Sequence, residues 1–481
     1  MAVTLKPDLC IIGAGSAGLG VAERASALGA SVVLVERGAM GGQRLNTADT
    51  PSKALVAAAR LSQLMRRASE FGFADTDPRP GFRAVAGHVD SVVEDAAPQD
   101  SAARFAALGA EIVREDARFI DPRTVVAGDQ VIRARRFVIA TGSLPFVPEI
   151  PGLDQVPYFT SDTIVSNQRK LTHLVIIGGG AMAVELGQAF CRLGSQVTIV
   201  ARGQALSRFD PELADIVLRR LRHEGVDLRE ASRVTAVEPR SQGIGVVVAD
   251  AEGETGRLDA SHILVATGRR PDVDGLDIDR ARIRRHGHDP HRLYVSAGMR
   301  TSNRRVYVIG DAAGGPMFAH AADYHAGLVV RSALLGLPAR QKPGHLPRTV
   351  FAEPEIAEVG LNEAELRRRR RRQTDWRVLR VSLAENERLR TSRAALGAAR
   401  MIVDAKGRIL GAGVVGGHAG ETIAVFALAV ARGLRVADLV DLVPAYPSET
   451  MLVRRLVEAY YRDRPAGPWL RRLAGIVRKL P

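Results

Sequence analysis

The chain has 481 residues, of which 46% are hydrophobic and 25% charged, a balance that supports two to four domains with sizeable cores and excludes disordered and fibrous classes. A net charge of +14 and a sequence pI near 10.4 raise polyanion binding, but only 5% of residues are aromatic and no zinc-finger spacing occurs, so no nucleic-acid partner is expected. No apolar run reaches the ~18 residues of a membrane span, TIAVFALAVA near Thr422 being the longest candidate. The N-terminal apolar stretch leads straight into a glycine loop, as a first strand does and a signal peptide does not, and a cytoplasmic protein is expected. The two cysteines, Cys10 and Cys191, read as buried small hydrophobes.

Residues 9–37, LCIIGAGSAGLGVAERASALGASVVLVER, give a strand, a glycine loop, a helix and a second strand ending in an acid. Gly13 permits the tight turn, Gly15 lets backbone approach a pyrophosphate, Gly18 lets helix and strand pack closely, and Glu36 can accept ribose hydroxyls. A dinucleotide-binding unit is expected here. Next comes GGQRLNTADTPSK at 41–53, and then FVIATGSLP at 137–145, a buried strand ending in the Thr141-Gly142 turn.

A second fingerprint, HLVIIGGGAMAVELGQAFCRLGSQVTIVARG, follows roughly 165 residues after the first, with Gly178, Gly180 and then Ala183 at the third glycine position. Its second strand ends at Ala201 instead of an acid, with Arg202 next and Arg208 soon after. An acid would repel a 2′-phosphate and arginines pair with one, so NADPH is favoured over NADH, although both arginines can also simply face solvent. ILVATGRRP at 263–271 repeats the strand and turn, with Gly268 and Arg269 at its end. In VYVIGDAAGG the strand stops at Gly310 and Asp311, a carboxylate suited to flavin ribityl hydroxyls or a plain turn residue. The run Arg367–Arg372 follows EAEL and reads as the solvated face of a helix, with a polyanion site as the alternative. In the tail, Trp469, Leu470, Leu473, Ile476, Val477 and Leu480 can share one helical face, with Arg471, Arg472, Arg478 and Lys479 elsewhere. Such a helix either meets an anionic membrane surface or docks on the protein's own dimer.

The ordered set GxGxxG…E, GG…PSK, ATG, GGG…E, ATGRRP and GD resembles the class I pyridine nucleotide–disulfide oxidoreductases, over about residues 5–460 and with a mercuric reductase-like flavour. The resemblance implies an α/β fold with two Rossmann-like dinucleotide-binding domains, for FAD and NAD(P), and an α+β C-terminal dimerisation domain in a homodimer. The expected divisions are 1–150 and 271–345 for the FAD and central parts, 151–270 for NAD(P), 346–465 for dimerisation and 466–481 for the tail. Carried over residue by residue, Gly13, Gly15, Gly18, Glu36, Gly42, Lys53, Thr141, Gly142 and Asp311 match FAD positions. Lys53 and Glu185 match an ion pair beside flavin N5.

The departures concern sulfur. The family pattern GGxCxNxGCxPSK needs cysteines where this chain has Arg44 and Asp49, and thiol–disulfide exchange requires sulfur as both nucleophile and leaving group. Near the C-terminus AYPSETM places Tyr446 and Met451 where dithiol dehydrogenases carry His and Glu; Tyr446 agrees with mercuric reductases. Arg44 and Asp49 either pair with each other or with neighbours, or Arg44 polarises a bound acceptor. The expected activity is FAD-dependent NAD(P)H oxidation with direct transfer to a quinone-like or other small acceptor. A soluble transhydrogenase and a flavin-binding pseudoenzyme or assembly subunit are the alternatives.

Overall fold

The computed structural model describes residues 3–369, 375–462 and 468–478. The chain forms two compact units, Met1–Ala205 with Glu224–Lys342, and Leu206–His223 with Pro343–Pro481.

The first unit holds two five-stranded parallel sheets. In one, the strands run in the order Val306–Val308, Arg136–Ile139, Leu9–Ile12, Val32–Val35, Ala110–Val113. Alternation sends Leu9 and Ile11 to one face, where Leu19 and Val21 of the Ser16–Ala27 helix and Val329 of the Ala319–Ala333 helix cover them. Cys10 and Ile12 enter a second apolar layer on the opposite face. Burial on both faces is why these strands read as unbroken apolar runs. The other parallel sheet has the order Phe159–Thr160, His262–Val265, His173–Ile177, Gln196–Val200, Asp227–Arg229. The Ala181–Arg192 helix packs Gly187 against Ile176 and Ile199 on one face. Val237, Val246 and Leu258 of a three-stranded antiparallel sheet pack on the other. Each Thr-Gly turn leaves the strand beside a glycine-loop strand, and the segments beyond them, Ser143–Pro145 and Arg269–Pro271, pair as an antiparallel ribbon.

In the second unit a five-stranded antiparallel sheet runs Arg348–Val350, Glu355–Gly360, Ile409–Gly416, Ala398–Asp404, Trp376–Ser382. The Ala419–Arg432 helix buries Ile423, Phe426 and Ala429 in its core, so the TIAVFALAVA run is a core helix. No helix among the described residues is long and apolar enough to cross a membrane. The Pro211–His223 helix joins this unit, with Leu213 against Gly413. The Glu363–Arg368 helix starts with an Asn362–Glu365 capping box and leaves Arg367 and Arg368 exposed; positions 370–372 of the arginine run lie outside the described residues, as do Lys479 and Leu480 of the tail.

Candidate active site

The glycine loop and the Gly41-Gly42 pair are folded onto each other. Gly41 N–H donates to the Ala14 carbonyl at 2.9 Å, and Gly41 bridges Gly15. Gly42 has φ +57°, and a Cβ built there would lie 2.7 Å from the Gly15 Cα, so any side chain would push the two segments apart. Gly18 is equally constrained, since a Cβ would fall 1.8 Å from the Gly13 carbonyl oxygen. Glu36 stands at the end of the second strand with its carboxylate turned to the loop, accepting from Ala14 N–H at 2.6 Å and from Gly38 N–H at 2.7 Å. Gly15 is the N-cap of the Ser16–Ala27 helix, whose first amides and dipole favour an anion.

Two helices follow the pair, Gly42–Asn46 and Asp49–Arg66. Arg44 donates through Nε to Ser16 Oγ at 3.0 Å and through its terminal nitrogen to Asp100, whose side chain is only 11% exposed. Asp49 is exposed at the start of its helix, without a side-chain partner among the described residues. The two residues at the cysteine positions therefore do not pair with each other. Arg44 turns back to the glycine loop, where a buried carboxylate needs its charge.

One turn beyond Asp49, Lys53 Nζ meets Glu185 Oε2 at 2.7 Å. Glu185 is 3% exposed on the helix that follows the second glycine loop, so the structure joins the residues that the sequence separates by 132 positions. Gly178 has φ +131°, and Ala183 is fully buried at the position where the first fingerprint has glycine.

On the Thr-Gly side, Thr141 Oγ1 is buried with no hydrogen-bond partner among the described residues, and Gly142 has φ +76°. Asp311 is largely buried and accepts from Ser143 Oγ at 2.7 Å. Burial pushes the Asp311 carboxyl above the usual carboxylate range, against the pull of Ser143 and Arg269 and with a further push from the charge of Asp49. Arg269, expected among the cofactor contacts, is engaged within the protein. Its Nε donates to Ser143 Oγ at 2.8 Å, and its terminal nitrogens donate to the Ser143 carbonyl and Asp162, both at 3.0 Å. It thereby holds Ser143, the residue that donates to Asp311. Gly268 precedes it at φ +123°, and Gly310 precedes Asp311 at φ +61° against Ala17 and Ala322.

Arg202 and Arg208 are exposed, and neither has an ion-pair partner among the described residues. Arg208 lies in the segment that folds with the second unit. Tyr446, also in that unit, is 69% exposed and donates its hydroxyl to Glu387, a hydrogen bond that, together with the carboxylate's charge, raises the phenol's pKa. Ser16 and Ser143 sit at ordinary positions inside the quoted segments, and Asp100, Asp162 and Glu387 lie outside any motif, so no sequence signal singles them out.

Residues 7–326 match the pyridine nucleotide-disulphide oxidoreductase family, and residues 346–455 match that family's dimerisation domain. The chain belongs to this family, in its class I branch. Members are FAD-dependent oxidoreductases that use NAD(P)H, and the dimerisation domain supports a homodimer. The chain is 35% identical to a mercuric reductase of Streptomyces lividans over 90% of its own length and 91% of the relative's. It is 32% identical to a dihydrolipoyl dehydrogenase of Geobacillus stearothermophilus, covering 92% and 94%. Among solved structures, the HOCl-induced flavoprotein disulfide reductase RclA from Escherichia coli superposes with a TM-score of 0.82 at 26% identity, covering 94% of this chain and 99% of that one. Against that family background, this member's two cysteines are free: Cys10 lies buried in a strand, where burial pushes its thiol pKa up, and Cys191 donates to the Glu224 carbonyl at 3.2 Å.

Proposed function

We propose that this protein is an FAD-dependent NADPH oxidoreductase that hands electrons from the flavin directly to a small quinone-like acceptor, without a disulfide relay. The observation that carries the reading is the Lys53–Glu185 ion pair, kept at 2.7 Å while Arg44 and Asp49 stand at the two cysteine positions. The side chains present suit FAD. The close approach of Gly42 to Gly15 leaves backbone free for a pyrophosphate, Glu36 offers two acceptor oxygens near the glycine loop, and the orphaned Thr141 Oγ1 awaits a polar partner. Asp311, fixed by Ser143, is the acceptor for ribityl hydroxyls. Bound FAD supplies the two-electron carrier between nicotinamide and acceptor.

The residues of the chain set the electrostatics. Lys53 presents a cation to the flavin site, and a cation there favours electron density entering the ring. Glu185, almost fully buried, holds that ammonium in place; alone, either group would be costly to bury. Arg202, exposed just past the strand that ends the second fingerprint, is the group for a 2′-phosphate. No sulfur stands at 44 or 49, so thiol–disulfide exchange lacks both nucleophile and leaving group there.

Anaerobic mixing with NADPH tests the reading: the yellow flavin spectrum should bleach within seconds and return when a benzoquinone is added. Lipoamide, glutathione disulfide and Hg(II) should give no turnover. A spectrum unchanged by NADPH would make the protein a scaffold, and turnover with any dithiol substrate would overturn the proposed route. Lys53→Met should slow bleaching by at least about tenfold, the size of losing one favourable charge interaction at the reacting site.

A further inference from the structure

We infer that the C-terminal Pro468–Val477 helix is an in-plane anchor for an anionic phospholipid surface, a property that goes beyond the proposed reaction and does not depend on it. Trp469, Leu473, Ile476 and Val477 are 70%, 41%, 61% and 55% exposed. At 100° per residue they fall within an arc of about 100°, while Arg471 and Arg478 project from the opposite side and Arg472 flanks Trp469. Every residue from Arg471 to Arg478 is exposed, so the unit to which the helix belongs leaves this apolar arc uncovered. A helix of ten residues is marginal in water by itself and gains stability when its apolar face is buried.

Charge selects the occupant. Residues 466–481 contain Arg471, Arg472, Arg478 and Lys479 and no acidic residue, so the segment carries four positive charges beside its apolar arc. An anionic lipid surface complements both features at once, with apolar side chains entering the acyl boundary and guanidinium groups meeting headgroups. Trp469 stands on the arc as a residue suited to that boundary. The helix is about 15 Å long, half the hydrocarbon thickness, and therefore lies along the surface.

Flavin-loaded full-length protein should co-sediment with vesicles of phosphatidylcholine containing about one-third phosphatidylglycerol, and only weakly with phosphatidylcholine alone. The chain has two tryptophans, and Trp376 is 5% exposed, so a blue shift of tryptophan emission on vesicle addition reports Trp469. The variant W469S/I476S keeps every positive charge and should lose at least about tenfold in vesicle affinity, which separates insertion from adsorption of a basic protein. R471Q/R472Q/R478Q should lose a similar factor on the anionic vesicles. Unchanged binding of W469S/I476S, or no binding of the parent protein, would overturn the inference. Dissociation of W469S/I476S into monomers would assign the arc to a second copy of the chain and overturn it equally.

Discussion

Arg44 gives the sharpest test at the level of one side chain. Its guanidinium is held by Ser16 and Asp100, and the Asp100 side chain is 11% exposed against 34% for Arg44. Removing the arginine strands a buried carboxylate, whereas removing the carboxylate leaves a cation that water can still reach. Arg44→Ala should therefore lower unfolding free energy by about 2 kcal/mol, and the R44A/D100A double variant should be more stable than R44A alone. Denaturant melts of the four proteins complete the cycle; fully additive losses would show that the pair does not couple. With two of its nitrogens engaged, Arg44 should affect stability more than acceptor turnover. The same site marks what the sequence conveys. Gly13, Gly18 and Glu36 are legible because turn, close packing and strand end are local demands within one βαβ unit. Asp100 is 56 positions from Arg44, in a segment with no motif, and only the folded chain makes it the partner.

The Asp49–Arg66 helix does more than carry Lys53. Nine residues further along, Ser62 Oγ donates to the Arg192 carbonyl at 2.9 Å, and Arg66 donates to the same oxygen at 2.7 Å. Arg192 is the last residue of the helix that bears Glu185, so its carbonyl has no helical partner of its own. The Lys53–Glu185 pair at one end and these two donors at the other set the register of the two helices over roughly 13 Å. S62A/R66A leaves that carbonyl unsatisfied and should cost about 2 kcal/mol in a denaturant melt. It should also slow flavin reduction by NADPH, while a variant of the exposed Arg367 changes neither. Equal reduction rates in S62A/R66A and the parent would mean that Lys53 and Glu185 find each other without this second contact. The sequence shows the two ends of the ion pair through motif position, but Ser62 and Arg66 look like ordinary helix surface until the neighbouring helix is in place.

Across the molecule, the two parallel sheets and the C-terminal antiparallel unit follow the order of motifs, because each glycine fingerprint encodes one complete supersecondary unit. The membership of the Pro211–His223 helix in the second unit is not written in chain order; it depends on which apolar face Leu213 finds. That unit also contains a buried acid whose titration the whole protein should feel. Glu358 is 4% exposed, accepts from the Asp210 backbone N–H and lies 3.1 Å from Arg348. Burial lifts its pKa from 4.5 to about 7, opposed by the Asp210 N–H and by Arg348 and aided by the Asp210 carboxylate. The folded state then binds more protons than the unfolded state between those two values, so the stability contributed by Glu358 is present in full below pH 4.5 and is lost as pH rises towards 7. A shift of this size corresponds to about 3 kcal/mol. Glu358→Gln mimics the neutral form, so parent and variant should be nearly equal in stability near pH 4.5, and the variant should gain on the parent up to neutral pH, with no further change above. Unfolding free energies of the two proteins across that range decide the matter. A glutamine variant that loses ground as pH rises would show that Arg348 and the Asp210 amide outweigh burial and keep Glu358 ionised.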